Sequence, residues 1–145
     1  MNQTVEQSAP ELVELRIPAR AEWVALARLA AATVANRLRF SIEEIEDVKL
    51  AVAEACAAII QHDGHGEFLF LACEASPEAL RIRVRDSGGH GVQTSDRQRI
   101  NFEEARIAGL GIFLIRTLMD EVSYDVHPQH GTDILMVKQL GTVAQ

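Results

Sequence analysis

Three short stretches carry residue types able to do chemistry. The first is Arg106-Ile-Ala-Gly109-Leu110-Gly111-Ile-Phe-Leu-Ile-Arg116-Thr-Leu-Met119, where two glycines open an amphipathic helix. A helix start has backbone N–H groups without intrahelical partners and the positive end of a dipole, so it favours an anion. Glycine lets that anion approach the backbone closely. The second is Asp86-Ser-Gly88-Gly89, an acid at the end of a strand. An ionised carboxylate only accepts hydrogen bonds and suits an exocyclic amine such as adenine's; the same four residues are also ordinary turn chemistry. The third is Glu54, the only acid between Val48 and His62. Glu54, Ala58 and His62 follow at helical spacing on one face. A lone carboxylate in so apolar a helix is expensive to bury, so it either faces solvent or serves a site. Together the three stretches point to a nucleotide site.

The elements that must position them can be read from periodicity. Residues 1–11 read as a disordered tail. Leu12 to Ile17 alternates as a strand, ended by Pro18. A first helix is expected from about Arg20 to Leu38, with Trp23, Leu26, Leu29, Ala30, Val34 and Leu38 as its apolar face. Ser41 with Glu44 three residues on is a capping box for a second helix, Ile42 to about Gln61. Its core face would be Ile45, Val48, Val52, Ala55 and Ile59.

Strands follow at Phe68–Glu74 and Leu80–Asp86, joined by a turn at Ser76-Pro77-Glu78-Ala79. Arg81, Arg83 and Arg85 alternate with apolar residues and mark a solvent-facing side of an antiparallel sheet. Gly88 to Ala108 is a long polar segment of the kind that is often functional, with room for a short helix at Glu103–Arg106. A third helix, Leu110 to about Asp120, precedes strands at Val122–Val126 and Asp133–Lys138, with a turn at Pro128-Gln-His-Gly131. This order predicts an α+β two-layer sandwich, a mixed and mostly antiparallel sheet with helices on one face. Residues 12–140 make a single domain and 141–145 a tail.

Composition narrows the class. At 145 residues and 48% hydrophobic content, the chain can bury the core of one domain. Its net charge of −7 argues against nucleic-acid binding, which calls for a basic face. No run of apolar residues is long enough for a membrane-spanning helix, and the polar N-terminus does not read as a signal peptide, so a cytoplasmic protein is expected. Cys56 and Cys73 lie among apolar neighbours without metal-ligand spacing and read as buried free thiols.

In their order, Glu54…His62, Asp86-x-Gly88, Gly109-x-Gly111 and Gly131-Thr132 resemble the GHKL (Bergerat) ATP-binding fold of histidine kinases, DNA gyrase and heat-shock chaperone ATPases. More closely, the chain is similar to the anti-sigma-factor serine kinases of the RsbW and SpoIIAB type. That resemblance runs from Leu15 to Leu140 and rests on Ile17-Pro-Ala, Ile45-Glu-Asp-Val-Lys-Leu-Ala-Val-Ala-Glu54-Ala, Val84-Arg-Asp86-Ser-Gly88, and Gly109-Leu-Gly111-Ile-Phe-Leu-Ile-Arg-Thr-Leu-Met-Asp120-Glu-Val.

The resemblance implies site roles by matched position. Asp86 would bind the adenine amine, with Thr132 beside it, and Gly88 would let the base lie against the backbone. Gly109, Leu110 and Gly111 would give N–H groups to the phosphates of ATP. Residues from about Gln93 to Ala108 would form a lid. Glu54 would be the general base at the acceptor serine hydroxyl. Arg28 would contact partners: a sigma factor, and a STAS-domain anti-anti-sigma protein that the chain phosphorylates. The first helix and strand would help form a homodimer.

The chain also departs from the family pattern. Four residues after the glutamate, where relatives have an asparagine that coordinates Mg²⁺, stands Ala58. Loss of that oxygen ligand weakens a metal on which phosphoryl transfer depends. His90 replaces a frequent glycine, and Ile107 stands where some relatives have a lid arginine, with Arg106 adjacent. The alternative implied is a nucleotide-binding partner switch without kinase activity. A histidine-kinase catalytic fragment is a third reading, without an evident phosphoacceptor helix.

Overall fold

The computed structural model describes residues 9–62, 66–86, 112–127 and 131–141. They form β1 (Glu11–Pro18), α1 (Val24–Ala35), α2 (Ile42–His62), β2 (Phe68–Ala75), β3 (Ala79–Asp86), α3 (residues 112–118), β4 (Glu121–His127) and β5 (Gly131–Gln139). A 3-10 turn at Ala21–Trp23 leads into α1. The strands make one sheet in the order β1-β2-β3-β5-β4. All pairings among the described strands are antiparallel, which sharpens the expectation of a mostly antiparallel sheet.

Alternation sets the faces. On β3, Leu80, Ile82 and Val84 are fully buried while Arg81, Arg83 and Arg85 are exposed. On β2, Leu69, Leu71 and Cys73 point to the same covered side, and on β5 so do Ile134 and Met136. A slip of one residue would turn this whole set outward, so burial fixes the register. The β2–β3 turn forms as expected: Ser76 N donates to Ala79 O, and Ser76 Oγ accepts from Ala79 N.

The helices cover that one face. α2 starts where the sequence places it, and its capping box is reciprocal: Glu44 N donates to Ser41 Oγ at 3.0 Å and Ser41 N to Glu44 Oε1 at 2.8 Å. Such a cap contributes about 1 kcal/mol. α2 packs on β3 and β5 and lies beside α1. It buries Val48, Ala51, Val52, Ala55, Cys56 and Ile59; Ile45, expected in the core, is only partly buried.

α1 differs from its expected packing. Its buried residues are Ala27, Ala31, Val34 and Ala35, whereas Trp23, Leu26 and Leu29 are 43%, 41% and 60% exposed. Small side chains let α1 approach α2 and β2 closely, and the large apolar ones are left on the outer side. The helical segment is also shorter than expected. Leu38 and Ala30 pack at the core's margin.

Candidate functional site

One end of the site is built by strand pairing. β3 and β5 are neighbours, and Arg85 pairs with Asp133. Asp86 and Thr132 stand one step further along the same two strands. Both are on the helix-covered side, at 2% and 1% exposure, and are the buried polar side chains of the described residues. No buried side-chain nitrogen or oxygen among the described residues lacks a hydrogen-bond partner. A carboxylate has about four lone-pair positions, so a bonded Asp86 can still accept from a ligand.

Gly131 completes this end. Its φ is +78°, a left-handed conformation that side chains rarely adopt. A methyl built on it would lie 2.5 Å from Asp86 Oδ1 and 2.8 Å from Asp86 Cγ. The glycine backbone is therefore packed against the carboxylate, and any side chain at 131 would push the acid aside. Sequence reasoning placed Gly131 in a motif beside Thr132 but not against Asp86. The Gly-Thr pair at a strand start is the signal, and it becomes readable only once β5 is known to lie beside β3.

The other end rests on α2. Glu54 is half-buried, and no hydrogen bond or ion pair to it is found among the described residues. Ala58, one turn on, is 8% exposed and presents only a methyl group. His62 ends the helix. Among the described residues no three His, Cys, Asp or Glu side chains are grouped to hold a metal.

The expected phosphate residues Gly109, Leu110 and Gly111 lie outside the described residues, as do Gly88, His90, Arg106, Ile107 and the lid from Gln93 to Ala108. Described structure resumes immediately after Gly111 with α3, whose Ile115 is fully buried. The C-terminal end of α3 is fastened to β5. Lys138 Nζ donates to Leu118 O at 2.7 Å, Asp120 N to Val137 O at 2.8 Å, and Gln139 N to an Asp120 carboxylate oxygen at 2.7 Å. Lys138 Nζ is also 3.7 Å from Asp47 Oδ2 on α2. Sequence reasoning missed Lys138; a cation in the covered-face register of an apolar strand was the available signal.

Arg28 is exposed on α1, next to Leu29. On the open face of the sheet, Arg83 makes a two-point pair with Asp133 at 3.0 and 2.7 Å. Arg16 lies over Phe68 and Arg85 over Phe70, at 4.4 and 4.9 Å. Cys56 and Cys73 are free and buried, as expected, and burial pushes each thiol up to about 12. Among the described residues no helix is long and apolar enough to cross a membrane.

The chain is similar to known proteins over most of its length. The model of the histidine kinase-like ATPase domain matches residues 17–138. The chain is 36% identical to a serine-protein kinase RsbW of Bacillus cereus strain Q1 over 140 aligned residues, spanning 90% of this chain and 86% of that one. It is 36% identical over 155 aligned positions to the RsbW of Bacillus pumilus strain SAFR-032, spanning 97% and 90%. With the RsbW of Halalkalibacterium halodurans it shares 33% over 139, spanning 90% and 85%.

Proposed function

We propose a function from one premise: the chain belongs to the histidine kinase-like ATPase domain family and, within it, to the serine-protein kinases of the RsbW type. Our reading is a cytoplasmic anti-sigma factor that binds ATP, holds a sigma factor and phosphorylates a serine of a STAS-domain anti-anti-sigma protein. The observation that carries it is the meeting of Asp86 and Thr132 at neighbouring strand ends, both almost fully buried, with Gly131 packed against the carboxylate.

Each residue has a task in this reading. Asp86 accepts from the adenine amine, and the Thr132 hydroxyl supports the same edge of the base. Gly88 allows close approach of the base. Backbone N–H groups at Gly109, Leu110 and Gly111 hold the phosphates at the start of α3. ATP, when bound, supplies the transferable phosphoryl group. Glu54 orients the acceptor serine hydroxyl and takes its proton as the new oxygen–phosphorus bond forms and the bond between the γ-phosphorus and the bridging oxygen breaks, with ADP as the leaving group. Added charge on that serine then alters the antagonist's interface. Mg²⁺ fits less well: Ala58 offers a methyl where an oxygen ligand is needed.

Partner binding is assigned to α1 and β1. Trp23 at the entry to α1, Leu26 and Leu29 on it, and Leu12 and Val13 on β1, are all more than two-fifths exposed. Among the described strands β1 lies at the edge of the sheet, where a strand's outer backbone groups can pair with another chain. A homodimer covers part of this surface, and Arg28 lies within reach of the sigma factor and the antagonist.

Ala58 favours a second reading, in which the chain binds nucleotide and switches partners without transfer. Incubation with γ-labelled ATP, Mg²⁺ and a STAS-domain partner decides. Labelled serine, increased by Ala58→Asn, supports the kinase. No label, with nucleotide affinity by calorimetry indifferent to Mg²⁺, supports the switch. Absence of nucleotide binding would remove both.

A further inference from the structure

We infer that Lys138 is a positioning residue that fixes α3 against the helix that carries Glu54, and through α3 serves the phosphate half of the proposed site. The inference rests on the ATP-site reading above and assigns a role to a residue outside that site. Lys138 projects from β5 to the helix-covered side, in register with Thr132, Ile134 and Met136. Its side chain is only 12% exposed. A cation so placed requires partners, and Lys138 has two on different elements. Its ammonium donates to Leu118 O at 2.7 Å, in the last turn of α3, and pairs with Asp47 Oδ2 at 3.7 Å in the first half of α2.

Chemistry and placement agree. The last carbonyls of a helix have no intrahelical partner and form its negative end, so a cation there both caps and orients the helix. Three further features limit what α3 can do. Asp120 is bonded through its N–H and its carboxylate to Val137 and Gln139 on β5, and Met119 N closes the last turn on Ile115 O. The C-terminal end of α3 is therefore held at several points. Lys138 is the one among these links that also reaches α2. Asp47 stands two helical turns before Glu54, about 10 Å along the same helix. One ammonium thus ties together the strand that carries Thr132, the helix that follows Gly109–Gly111, and the helix that carries Glu54.

A residue with this role should affect the phosphates and not the base. The test compares adenosine with ADP by calorimetry in wild type, Lys138→Met and Lys138→Arg. Met keeps the apolar stem and removes the charge. Lys138→Met should weaken ADP about tenfold and adenosine less than about twofold, and Lys138→Arg should recover most of the loss. Hydrogen exchange provides a readout free of nucleotide: amides of residues 112–118 should exchange faster in Lys138→Met, with β2 and β3 unchanged. Equal weakening of adenosine and ADP would mean general destabilisation and overturns the role. So does faster α3 exchange with ADP affinity intact. If wild type binds no nucleotide while α3 exchange still responds to Lys138→Met, the link stands as structure and the ATP-site reading is what has failed, taking the positioning role with it.

Discussion

At the proposed base end of the site, Asp86 and Thr132 sit on adjacent strands at 2% and 1% exposure, pinned by a glycine that admits no side chain. At the proposed transfer end, Glu54 is half-buried without an ion-pair partner among the described residues, and Ala58 puts a methyl beside it. The first end is set by sheet register and cannot shift without disturbing the core. The second is set by one helix face, where a substitution at half-buried Glu54 changes the chemistry without touching the sheet. On the proposed assignment, binding and transfer are therefore separable. A chain can lose the second while its packing preserves the first.

Four substitutions break or sharpen that contrast. The largest effect is expected at Glu54, in whichever chain labels a partner serine, wild type or Ala58→Asn. Glu54→Gln should lower the labelling rate by about 10²- to 10⁴-fold, the usual contribution of a general base, with nucleotide affinity unchanged. Weakened nucleotide binding in this variant would mean the two ends are not separable. Next, Asp86→Ala should cost about ten- to a hundredfold in adenosine affinity, the loss of a hydrogen bond to a charged acceptor, read by calorimetry. Unchanged adenosine affinity would move the base elsewhere.

Gly131→Ala should destabilise the fold by about 1–2 kcal/mol in urea titration, because a left-handed backbone acquires a side chain. It should also weaken adenosine, since the methyl meets the Asp86 carboxylate. Loss of stability alone would show that the carboxylate can give way without harm. The smallest folding effect belongs to the outer side of α1. Leu29→Ser should change stability by no more than about 0.5 kcal/mol, as a surface substitution, yet shift the sedimentation of the proposed homodimer towards monomer. A large loss of stability would return Leu29 to the core.

α1 also marks the limit of what the sequence discloses. The strands were legible because alternation and burial coincide on β2 and β3, and the start of α2 because Ser41 and Glu44 cap it through local bonds. On α1 the large apolar residues share a helical stripe, and periodicity assigns them to the core. The alanines win instead, because a tight helix–helix and helix–sheet approach needs small side chains. Hydrophobic spacing cannot distinguish a face covered by this chain's own sheet from one that a partner covers. At the site, Asp86 and Thr132 were each legible by resemblance. Their adjacency depends on β5 entering the sheet between β3 and β4, and Lys138 was hidden for the same reason: its partners, Leu118 and Asp47, come from two other elements.

The two buried thiols turn the molecule into its own clock. Cys56 belongs to the helix layer and Cys73 to the sheet, at 1% and 0% exposure. With each thiol pushed from 9.0 up to about 12 by burial, the folded form favours the protonated state, and this contribution to stability is lost as pH rises between those values. At 1% and 0% exposure neither sulfur can be reached in the folded form, so near pH 8 an alkylating reagent reacts with them in opened molecules. Labelling rates at the two positions therefore count opening events in two layers separately. Equal rates would mean that helices and sheet part in one cooperative step. Faster labelling at Cys56 would mean that α2 lifts from the sheet on its own, carrying Glu54 with it.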